Sequence, residues 1–146
     1  MNILQTIGAA YATKSAATEA STEDKPTNGL RSTIVDLIIL LSNLHVAHWQ
    51  ASRKTNEHAA LGGLYASLDG LIDDFAETLM GLEGNTDMPT KSAEVAGGKG
   101  FADVVKGIRT SVESLCKESK TVSDDLANVA ADMTQAVNKA CYLLEL

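Results

Sequence analysis

Cysteine is nearly absent from this chain of 146 residues: there are two, too few for a disulfide framework. Cys116 and Cys141 each fall on the apolar stripe of an expected helix, where a thiol packs as a small hydrophobe, and their use points to a reducing compartment. Basic residues are also short, 12 Lys and Arg against 19 Asp and Glu, for a formal net charge of −7 and a pI near 4.8. Nucleic-acid affinity rests on Lys and Arg releasing counterions from phosphates, so DNA binding is not expected. An acidic surface instead concentrates cations near an entry channel. Asp36 and Asn43 interrupt the most apolar segment, so no membrane span is expected there. The opening MNILQTIGAAYATK lacks the basic start and continuous apolar run of a secretory signal, and the expected location is the cytoplasm. Alternating strand patterns are lacking too: the one strand-like run, residues 34–41, reads better as part of a longer helix, and the fold class expected is all-α.

What is present is a succession of long segments with helical periodicity. Residues 1–29 form an expected N-terminal arm, with Ile3, Leu4, Ile7 and Tyr11 at helical spacing ahead of the Pro- and Gly-containing STEDKPTNG. Such an arm either remains a tail or docks on a neighbouring subunit. The bundle proper is expected over residues 30–146. Its first helix spans residues 32–54, capped by Ser32, with a stripe of Ile34, Leu37, Ile38, Leu41, Leu44, His45 and His48. Asn56 is the expected cap of a second helix ending near Gly81 or Gly84, and the short link makes the two antiparallel. Residues 84–100 are too long for a hairpin and, extended, would reach roughly 50 Å, enough to run the length of a bundle. Two further helices follow over residues 101–119 and 122–144. Two helical hairpins joined by one long crossover make a ferritin-like four-helix bundle.

Every histidine of the chain lies in the stretch HVAHWQASRKTNEHAALGGLYASLDGLIDDFAE, residues 45–77, with the only tryptophan, Trp49. His45 and His48 share one side of the first helix, and His58, Gly62, Tyr65, Asp69, Asp73 and Glu77 advance along one strip of the second. Asp73 and Glu77, one turn apart, suit a metal ion. His58 lies 15 residues before Asp73, about 22 Å along a helix axis, so one chain cannot close a site containing all of them. The expectation is that Asp73 and Glu77 of one subunit meet His48 and His58 of another across a two-fold axis. Mixed imidazole and carboxylate ligands suit iron, with zinc or manganese as competitors.

The runs LLSNLHVAHWQ, EHAALGGL and LIDDFAETLMG, with the closing AVNKACYLLEL, resemble the Dps family of mini-ferritins over residues 31–146. The resemblance implies a dodecameric cage that oxidises ferrous iron at dimer interfaces and stores the ferric product. It implies His48, His58, Asp73 and Glu77 as ligands, with Trp49 beside them as core packing or as a radical quencher. The usual acidic ligand of the family falls here on Gly62, for which Asp69 is the replacement and Glu57 or His45 weaker ones, and the link between the histidines is two residues shorter. These features also resemble small Dps-like proteins of tailed bacteriophages. The alternative they imply is a non-enzymatic assembly protein, such as a virion component, with a degenerate metal site.

Overall fold

Apolar residues three and four apart build the first helix, α1, Asn28–Gln50, in the computed structural model, which describes residues 27–93 and 100–146. The arm's Ile3, Leu4, Ile7 and Tyr11 lie outside the described residues. α1 begins ahead of Ser32, the expected cap, because its N-terminus is served by other helices. The Thr27 hydroxyl makes no cap bond and donates to Glu83 instead. The Glu118 carboxylate, held by the Ser114 hydroxyl at 2.8 Å, lies against Gly29, where negative charge complements the helix dipole.

The second helix, α2, is Asn56–Glu83. Its cap is Thr55 rather than Asn56, with the Thr55 hydroxyl accepting from the His58 amide at 3.3 Å. It ends as expected at Gly84, whose φ of 62° is the left-handed conformation glycine adopts without a Cβ clash. α3, Phe101–Ser119, matches its expected span. α4, Asp124–Leu144, starts two residues late because the Ser123 hydroxyl caps it through the Asp125 amide.

α1 packs on α2 and α3, and α4 packs on the same two; α1 and α4 are diagonal, as are α2 and α3. All four packed pairs are antiparallel. Arg31 meets Glu83 and His48 meets His58 between α1 and α2. Gly29 faces Glu118 and Leu40 faces Gly107 between α1 and α3, Arg109 bonds Asn138 between α3 and α4, and Ala60 shares a crevice with Ala140 between α2 and α4. The link after Gly84 therefore starts at the end of the bundle where α1 begins, and Gly100 lies at the other end. This is a four-helix all-α bundle with a long connection between its second and third helices. Arg31 holds the near part of that link, donating to the Asn85 carbonyl at 2.9 Å and to the Asp87 carbonyl, and Lys91 reaches Asp36 at 2.7 Å.

Leu37, Leu44, Leu68, Phe75, Ile108 and Met133 fill the centre and are fully buried. Cys141 is buried, Cys116 half-buried, and both are free thiols. Two expected core residues are not in the core: Ile38 is 48% exposed and Trp49 67%. Contrary to the expectation drawn from Asp36 and Asn43, α1 is long and apolar enough to cross a membrane, with a mean hydropathy of 1.4. In the bundle its apolarity has another use, since Leu30, Ile34, Leu37, Leu41 and Leu44 are its inward face.

Candidate metal centre

The five-residue turn between α1 and α2 brings the end of one helix against the start of the next, and two histidines close the junction. His48, in the last turn of α1, places Nδ1 3.0 Å from the His58 carbonyl; His58, in the first turn of α2, places Nδ1 3.0 Å from the His48 carbonyl. A carbonyl oxygen only accepts, so both Nδ1 atoms carry a proton, and Nε2 is the ring atom left to offer a lone pair. The rings stack with centroids 4.0 Å apart and planes 29° from parallel. Backbone-locked Nδ1 is the usual support of a metal-binding imidazole. Because a ring lone pair lies in the ring plane, the two do not converge on one point; as placed, each addresses its own position.

His45 stands apart from this pair, 6.4 Å from His48 between ring centroids. It is flanked by Trp49 at 4.3 Å and Tyr65 at 4.0 Å. The exposed Trp49 is thus a cover over His45, not part of the core.

The acidic side chains are elsewhere. Asp69 and Asp73 are exposed and line an open groove of about 390 Å³ between α1 and α2, with Ile38, Leu41, Ile72 and Ala76. Glu77, one turn on, is exposed as well. Among the described residues, no group of three or more His, Cys, Asp or Glu comes together as a metal site. A single chain therefore joins His48 to His58 and Asp69 to Asp73, and does not join the histidines to the acids.

The match to known families begins at His48 and runs to residue 144, taking in His58, Gly62, Asp73 and Glu77: it is to a family of unknown function, DUF5856. The chain belongs to the DUF5856 family. No curated protein and no solved structure matches it. In this DUF5856 chain Glu57 is exposed at the start of α2, and Gly62 faces the His48 ring. Sequence spacing marked both histidines but not their reciprocal bonds. Those depend on how the turn sets α1 against α2, and spacing of ten residues across a turn carries no such information.

Proposed function

We propose that this protein is a Dps-like mini-ferritin that binds ferrous iron at sites shared between two subunits, oxidises it, and stores ferric iron in an oligomeric shell. The observation that carries the reading is the histidine pair, whose Nδ1 atoms are both committed to backbone carbonyls and whose Nε2 lone pairs remain for a metal. The antiparallel bundle with its long second connection supports a ferritin-type topology. Asp73 and Glu77 are exposed on α2, about 22 Å and about 28 Å along the axis from His58, so they are available to a second subunit rather than to their own histidines. In this reading His48 and His58 of one subunit and Asp73 and Glu77 of another hold the iron substrate, with Asp69 the nearest further carboxylate on the same groove. The carboxylates favour the ferric product and the imidazoles hold the other side. Zinc or manganese would compete.

The second reading is a non-enzymatic assembly protein with a degenerate site, and Gly62 favours it: the position next to the His48 ring offers no oxygen ligand. One experiment separates the two. The protein is purified anaerobically, its mass in solution recorded, and ferrous iron and peroxide added beside the Asp73→Ala/Glu77→Ala double variant. Rapid ferric formation by a shell-sized species, lost in the variant, is the expected outcome. Rates equal to the protein-free control in both would leave the assembly reading.

A further inference from the structure

The groove between α1 and α2 is longer than its acidic part. His45 lies one turn past Leu41 on α1 and Tyr65 one turn before Asp69 on α2, and their rings meet with centroids 4.0 Å apart. Trp49, one turn further on, lies 4.3 Å from His45 and closes that end. From Ile38 to Trp49 the trough runs about 16 Å along α1. Both ends present apolar surface to solvent, with Ile38 48% and Trp49 67% exposed. Asp69 and Asp73 give the middle its negative charge.

We propose that in the single chain this trough is the docking site of the chain's own N-terminal arm, residues 3–14. Ile3, Ile7, Tyr11 and Lys14 follow at steps of four, four and three, the spacing of one helix face, and Ile3 to Tyr11 would cover about 12 Å of the trough. Lys14 is the only charged residue among the first 18, so the arm meets the two aspartates with attraction although the whole chain carries −7. The reach is sufficient. Residues 15–26 extend to about 40 Å, and Ala76, at the near end of the groove, lies seven residues before Glu83, the partner of Thr27, about 10 Å along α2. The arm enters running toward Thr27, antiparallel to α1, as an amphipathic helix laid in a groove. Tethering gives it a high effective concentration there, which favours it over the arm of a second copy. The docking does not depend on the iron reading. One consequence rests on that reading: a second subunit must displace the arm to reach Asp73, so the docked arm restrains assembly.

The test follows the full chain, diluted until light scattering gives the monomer mass. Trp49, the only tryptophan, reports on the trough through acrylamide quenching of its emission, and amide hydrogen exchange reports on residues 3–14. In wild type both are expected to be protected, at a level that further dilution does not change. Ile7→Glu is expected to open Trp49 to the quencher and to speed exchange over residues 3–14 at least about tenfold, the scale of losing one buried isoleucine. Ala9→Glu, on the opposite side of the same helical spacing, should match wild type. On concentration, Ile7→Glu should reach its assembled mass at a lower concentration than wild type, and equal thresholds would remove the arm from control of assembly. Equal exchange and equal quenching in wild type and Ile7→Glu would overturn the docking. Protection that fades on dilution, as the arm of a second copy would give, or a chain that never reaches monomer mass would overturn it too. Iron oxidation is read separately through Asp73 and Glu77. A docked arm on a chain that oxidises no iron sinks the ferroxidase reading alone, and iron oxidation with an unprotected arm sinks this proposal alone.

Discussion

Arg31 shows how much one side chain fixes in this bundle. It is 5% exposed in the first turn of α1, pairs with Glu83 at the end of α2, and also bonds the Asn85 and Asp87 carbonyls and the Met88 sulfur. A buried guanidinium is tolerated only with its donors occupied, and these partners occupy them. Arg31→Met leaves Glu83 without this charge partner and frees the start of the crossover. Unfolding in urea should show a loss of about 3 kcal/mol, the scale for breaking a buried ion pair from one side. A loss under about 1 kcal/mol would mean that the link after Gly84 does not depend on this clasp. Nothing in the sequence marks Arg31 for the role, because its partner lies 52 positions away. His48 and His58 are the opposite case at the same scale. Their chemistry was visible in the string of residues, while the choice of Nδ1 over Nε2 was not, since it depends on which carbonyl each ring meets.

At the scale of elements, helix bodies were readable, and of the four helix starts only that of α3 was. α3 and the end of α2 lie where periodicity and Gly84 place them, since an apolar stripe and a left-handed glycine are local features. Starts failed where a neighbouring residue or another helix took the capping role. Thr55→Ala and Ser123→Ala should each lower stability by about 1 kcal/mol in chemical denaturation, while Asn56→Ala should have almost no effect. An equal loss at Asn56 would reassign the cap. Gly84→Ala forces an alanine into the left-handed region and should lower stability by about 1 kcal/mol, read in the same series. α1 is the element whose sequence overstated its burial. It carries apolar residues around most of its circumference, so periodicity could not tell the face toward Phe75 and Ile108 from the face that bears Ile38.

For the whole molecule, the open question is what the outer surface of α1 and α2 meets. Ile38 beside Leu41, Ile72 and Ala76 gives the groove an apolar floor, and Asp69 and Asp73 give it an acidic rim. The proposed function requires a second subunit on this surface. Ile38→Glu should then shift the mass in solution toward the monomer, by light scattering, with helix content unchanged by circular dichroism. An unchanged assembly mass would remove this surface from the subunit interface and with it the shared iron site. Phe75→Ala is the contrasting core change: it empties the centre of the bundle, should lower stability by about 3 to 5 kcal/mol, and reports on folding rather than on assembly.

The sequence by itself determined the fold class, the number and approximate extent of the described helices, the antiparallel hairpins, the long crossover between them, and the division of ligand-type residues into a histidine group and an acidic group, with His58 and Asp73 about 22 Å apart along the helix. Each is a matter of local periodicity, link length or helix rise, which depend on neighbours in the chain. Tertiary structure decided the rest: that Arg31 clasps the crossover, that Trp49 and Ile38 face outward, and that Gly62 makes space for a stacked, backbone-locked imidazole pair. Those properties arise from how one helix is set against another across a turn or a crossover, and the angle and rotation of that setting are products of packing the entire core.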